Sequence, residues 1–171
     1  MKPLYYDIRH LIRSFDSSGA SRTGIYRFEL DVLEELLHED IDLNLFLEIK
    51  DQSKIASFES VIGLDFKSRY RFVSNIKDIN QGVFFSPIFS PPKEVIQKSS
   101  VTKALMVHDV IPLKIDAYSH VAKEGTWFHS VIQCIQNKDI RVLVPSEVAR
   151  TDLLDLGVDN HRITVCPHGL N

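Results

Sequence analysis

The segment Val101-Thr102-Lys103-Ala104-Leu105-Met106-Val107-His108-Asp109-Val110-Ile111-Pro112-Leu113 constrains this chain more than any other. A mostly apolar run ends abruptly in His-Asp, and a proline follows three residues later. A short apolar run closed by a turn signal predicts a buried strand. In open α/β sheets, ligands are met just beyond the carboxyl ends of such strands. His108 and Asp109 therefore stand where a ligand would be met.

The rest of the chain fits strands alternating with helices. Leu4 to Leu11 is aromatic-rich and partly alternating, which predicts a first strand. Residues 14 to 24 are small and polar, a loop. From Ile25 the period becomes helical, with Ile25, Phe28, Val32, Leu33, Leu36 and Leu37 on one face. Ser21 or Thr23 could cap that helix. Glu29, Asp31, Glu34, Glu35 and Glu39 are expected on its solvated side. Leu43 to Ile49 predicts a second strand. Residues 51 to 68 are ambiguous, with room for a short helix from Lys54 to Val61. Tyr70 to Ser74 and Gly82 to Phe85 predict two short strands. Three prolines make Ser86 to Pro92 an ordered, turn-rich loop. After the opening strand, Asp116 to Lys138 predicts the longest helix. Arg141 to Pro145 is a strand, and Ser146 caps a helix ending near Leu156 and Gly157. Ile163 to Cys166 is a last strand. This alternation predicts an α/β fold, a Rossmann-like parallel sheet with helices on both faces.

At 171 residues the chain suffices for one domain with a full core. It carries 20 basic against 23 acidic side chains, a net charge of -3, so no basic excess is present to neutralise nucleic-acid phosphates. No apolar run reaches the roughly 20 residues of a membrane span. Lys2 is followed soon by Asp7, so a signal peptide is not expected. Two cysteines, Cys134 and Cys166, do not make a disulfide framework, and a reducing, cytoplasmic setting is the plain expectation.

Several residues invite chemistry. Ser21-Arg22-Thr23-Gly24 lies between strand and helix, where free amides and a positive dipole suit a phosphate, although GxGxxG and the Walker pattern are absent. The simpler alternative is a plain strand-to-helix turn. His108 could donate to a sugar hydroxyl or phosphate, or act as a base near neutral pH. Its alternative is a bond to neighbouring backbone, and Asp109 could serve only to orient its loop. The seven histidines are scattered, with no HxH or HExxH, so no metal site is expected. Without GxSxG, a capping role accounts for Ser146.

Three segments in order resemble a known family. Thr23-Gly24-Ile25-Tyr26-Arg27-Phe28 resembles a "TGIxRY" helix start. Val107-His108-Asp109-Val110-Ile111-Pro112-Leu113 resembles an "HDxIPL" strand end. Val144-Pro145-Ser146 through Gly157-Val158, then Arg162 to Asn171, resembles the family's "vSxfsrxdLxxxgv…kixvixnGvd". The chain as a whole is thus similar to the N-terminal domain of a retaining GT-B glycosyltransferase of family 4.

The resemblance implies an acceptor-side domain of a hexosyltransferase-type enzyme. Such enzymes move a sugar from a nucleotide-sugar donor to a glycan or lipid-linked acceptor, as in cell-surface polysaccharide synthesis. It implies His108 as the catalytic-site residue touching the transferred sugar or acceptor. Thr23 and Gly24 would lie near the donor diphosphate, and Arg27, Asp109 and Ser146 would complete the substrate-binding set. It implies no cofactor and no metal. The chain departs from the pattern at His168 and Asn171, where asparagine and aspartate are usual, and in lacking a glycine pair in its first loop.

Residues 1–171 are expected to be one Rossmann-like domain, with the family's nucleotide-sugar-binding C-terminal domain absent from this chain and supplied by a further domain or a partner subunit. Alone, the chain is expected to be inactive. A lipid-linked acceptor would make it peripheral to the inner membrane face. Two rivals stand beside this reading. One is another GT-B-like nucleotide-sugar enzyme such as an epimerase. The other is a non-catalytic interaction module that kept the fold.

Overall fold

The computed structural model describes residues 2–14, 24–62 and 68–167. Among them one seven-stranded sheet forms, with every neighbouring pair parallel. The strands are β1 (Leu4–Asp7), β2 (Leu43–Phe46), β3 (Tyr70–Val73), β4 (Gly82–Ser86), β5 (Val101–Met106), β6 (Ile140–Val144) and β7 (Ile163–Val165). Their spatial order is β3-β2-β1-β4-β5-β6-β7. The helices are α1 (Arg9–Ser14), α2 (Gly24–His38), α3 (Ile55–Ile62), α4 (Lys93–Ile96), α5 (Ile111–Lys114), α6 (Trp127–Ile135) and α7 (Glu147–Asp155). The architecture is α/β and Rossmann-like, as the strand-helix alternation predicts.

Alternation along the strands assigns the two faces. Tyr6, Leu43 and Leu45 pack under α1, α2 and α3 with Leu11, Leu33 and Leu37. Their neighbours Tyr5 and Phe46 point the other way, to Phe84, Val95 of α4 and Val101. Further along, Leu105, Val142 and Val144 pack against Val131 and Ile135 of α6 and Leu153 of α7. Helices therefore cover both faces, as a parallel sheet requires. The order of the strands reverses between β1 and β4, the topological switch point at which such sheets open a crevice. The two strands meet closely at their starts: Gly82 sits at φ +107°, and a Cβ there would lie 2.2 Å from the carbonyl oxygen of Pro3.

Four expectations need correction. The first strand stops at Asp7, because α1 begins at Arg9. The second stops at Phe46, and a 3-10 turn follows over Ile49–Lys54. The long helix over Asp116 to Lys138 is two pieces, a 3-10 segment (Asp116–Ala122) and α6. Gly125, at φ +86°, breaks the helical path, and the Thr126 side chain accepts from the His129 N–H to start α6 afresh. Among the described residues the helix from Gly24 to His38 is the longest instead, with 15 residues.

The fourth correction is on α2 itself. Glu29, expected in solvent, is fully buried beside Tyr26, Leu33 and Leu37. The helix is rolled so that Phe28, Val32 and Leu36 are only half-buried.

Candidate functional site

His108 follows β5 directly, at the carboxyl edge of the sheet. Its Nε2 lies 2.9 Å from the Pro87 carbonyl oxygen in the loop after β4. A carbonyl only accepts, so Nε2 carries the proton and a neutral ring keeps its lone pair on Nδ1. The ring also meets Phe28 edge-on, with centroids 5.0 Å apart. Strand β5, the β4 loop and α2 thus fix one imidazole from three directions. It lines a small cavity of about 150 Å³ together with Asp109, Ile88, Pro112, Trp127 and Phe128.

The other expected residues are placed as follows. Asp109 is exposed, and its Oδ1 accepts from the Ile111 N–H at 2.9 Å, holding the turn into α5. Gly24 and Arg27 are exposed on α2 and line a separate groove of about 650 Å³. Phe28 and Asp31 of α2 form one wall of that groove, and Phe85, Met106 and Leu143 its apolar floor. Met106 lines both spaces, so Arg27 and His108 flank the same strand end without sharing a cavity. Ser146 caps α7, its Oγ accepting from the Ala149 N–H at 3.2 Å. Thr23, Ser21, His168 and Asn171 lie outside the described residues.

A second cluster, which the sequence reading did not single out, is built at the switch point. β1 ends in Asp7, and two arginines follow at a spacing of four, on one side of α1. Arg9 binds Asp7 through Nε (2.9 Å) and Nη2 (2.6 Å), and Nη2 also reaches the Ser90 carbonyl at 2.8 Å. Ser86 Oγ donates to Asp7 Oδ2 at 3.1 Å. Arg13 pairs with Glu48 and Asp51, each at 2.8 Å. Burial works to raise the Glu48 carboxyl, but hydrogen bonds from Lys50 and Arg13 outweigh it and bring it down to about 2. A pair of basic residues four apart, just after a strand ending in Asp, was the available signal. Trp127, the chain's one tryptophan, stands beside this cluster and also lines the His108 cavity.

Beneath α1 lies a third polar contact. His10 Nδ1 is 2.5 Å from Glu29 Oε2, while Glu29 Oε1 is buried with no hydrogen-bond partner among the described residues. Burial pushes the Glu29 carboxyl up to about 7, although the His10 contact pulls it down, and nearby Asp7 adds to the rise. Burial also pushes the Cys134 thiol up to about 12, which leaves it a core residue without nucleophilic character. Among the described residues, no group of three His, Cys, Asp or Glu comes together as a metal site, and no helix is long and apolar enough to cross a membrane. No protein-family model, curated protein or solved structure matches the chain.

Proposed function

We propose that the chain is the acceptor-side domain of a retaining GT-B glycosyltransferase of family 4, moving a sugar from a nucleotide-sugar donor to a glycan or lipid-linked acceptor. The observation that carries the reading is His108. It is an imidazole held by Pro87 and Phe28 at the carboxyl end of β5, opening on a cavity one strand from the switch point. Within the described residues, the three segments that resemble the family lie at the start of α2, the end of β5, and the cap and body of α7, which supports the reading.

In this reading His108 contacts the sugar being transferred, and the apolar walls around it exclude water from the reacting centre. Gly24 and Arg27 stand at the start of α2, facing the donor side. The groups that hold the diphosphate and the nucleotide ribose come from a second domain or subunit. The test is sugar transfer by the product of the whole coding region, with a panel of nucleotide sugars. His108→Ala is expected to lower transfer by about 100-fold or more. Unchanged transfer overturns the reading, as does free sugar released in place of an elongated acceptor, the mark of an epimerase.

One observation favours a second reading, a non-catalytic interaction module. The groove beside α2 has a floor of Phe85, Met106 and Leu143 and an acidic rim of Asp31, Glu35 and Glu39. Under that reading His108→Ala leaves the cellular phenotype intact.

A further inference from the structure

We infer that the switch-point cavity beside Arg9 and Arg13 is a binding subsite for a neutral sugar ring, stacked on Trp127. The cavity holds about 420 Å³ and is lined by Arg9, Arg13, Phe89, Ser90, Trp127 and Ser130. That volume falls within the ~300–1,000 Å³ of small-molecule sites. Its place, outside the carboxyl ends of β1 and β4, is where doubly wound sheets take their ligands.

The chemistry of the walls narrows the ligand. Trp127 is 47% exposed, although it is large, apolar and held edge-on by Phe89 and Phe128. A rigid aromatic left open beside hydrogen-bonding groups suits a molecule with an apolar face and a polar rim, which describes a pyranose. The arginines would at first suggest an anion. Their charge is already taken: Asp7 and Glu48 face Arg9, and Glu48 and Asp51 face Arg13. Asp7, Glu48 and Asp51 against Arg9, Arg13 and Lys50, which also pairs with Glu48, leave no excess positive charge for a phosphate or carboxylate ligand.

Hydrogen-bonding capacity does remain. The nearest carboxylate to Arg9 Nη1 is Glu48 at 3.7 Å, beyond hydrogen-bond distance. Ser130 Oγ, which donates to the Thr126 carbonyl, can still accept. Fixed donors with their charge neutralised, beside an aromatic plate, match hydroxyls and not an anion. The role of the subsite rests on the glycosyltransfer reading, in which it would hold the acceptor sugar. Its existence rests on the cavity alone.

Because Trp127 is the only tryptophan, its emission reports a ligand at its ring; the ring also borders the His108 cavity, so variants of the wall residues assign the response. The purified chain is titrated with methyl glucosides, methyl mannosides, methyl galactosides and neutral disaccharides. Glucuronate, inorganic phosphate and UMP form the comparison arms. A saturable emission change with at least one neutral glycoside is expected, in preference to the anions. Saturation-transfer NMR then compares variants whose fold is checked by circular dichroism. Trp127→Phe is expected to keep binding, and Trp127→Ala to weaken it about five- to tenfold. Arg13→Gln, which alters this cavity and not the one at His108, should weaken it.

Overturning results are no response to any neutral glycoside, tighter binding of an anion or nucleotide, or unchanged binding by Trp127→Ala. The two proposals fail separately. Sugar binding without transfer by the whole gene product sinks the enzymatic reading and leaves the subsite. Transfer that is indifferent to Trp127 does the reverse.

Discussion

Two strand ends on one edge of the sheet are built in opposite ways. After β1, Asp7 and Arg9 are buried, and each satisfies the other. After β5, His108 and Asp109 are held by backbone, through the Pro87 carbonyl and the Ile111 N–H, and Asp109 is exposed. A buried ion pair ties its strand end to the stability of the whole fold, because either charge left alone meets no water. An exposed side chain bonded to backbone, as Asp109 is, can change with little cost to folding. The β1 end is therefore structural first and ligand-facing second, and the β5 end is the reverse.

The largest effect expected from this contrast is at Asp7. Asp7→Asn keeps the shape but leaves the Arg9 guanidinium buried without its bidentate carboxylate. It should destabilise the protein by about 3–5 kcal/mol, read from urea denaturation. A loss below about 1 kcal/mol would remove the distinction between the two strand ends.

Next in size is Glu29. Its carboxyl, pushed from the usual 4.5 up to about 7, keeps its proton in the folded protein over a range where the unfolded chain has lost it. Between those values the folded state binds more protons, so stability falls as pH rises from about 4.5 to 7. His10 and Asp7 are the titratable neighbours, His10 opposing the shift and Asp7 adding to it. The full penalty above pH 7 is on the order of 3 kcal/mol. Glu29→Gln should flatten this slope, measured by denaturation at pH 5, 6, 7 and 8. A slope identical in both proteins would mean that Glu29 is ionised throughout.

The same contrast shows what was readable from sequence. The β5 end was legible because an apolar run stops at two polar residues, a local signal. So was the Ser146 cap, which depends on residues three apart. The β1 cluster was legible only in its local part, Asp7 with Arg9 and Arg13, since its other partners Ser90, Glu48 and Asp51 come from up to 81 residues away. Glu29 was missed for a related reason. Its helical neighbours Ile25, Tyr26, Val32 and Leu33 are apolar, so position pointed inward while polarity pointed outward, and its partner His10 lies on another helix. The helix over 116 to 138 failed locally: apolar spacing carried the pattern through Gly125, whose positive φ ends it.

The smallest effect belongs to Asp109. Its one described contact is the bond from the Ile111 N–H, which resembles a helix cap more than a charge pair. Asp109→Ala should cost about 0.5–1 kcal/mol, against several for Asp7→Asn. That difference lets the β5 end be dissected in folded protein. If Asp109 only orients the turn, Asp109→Asn, whose side-chain oxygen still accepts from Ile111, restores both stability and any sugar transfer. If stability returns and transfer does not, the carboxylate itself faces the substrate, and the β5 end holds two functional side chains beside the apolar wall of Ile88 and Phe128.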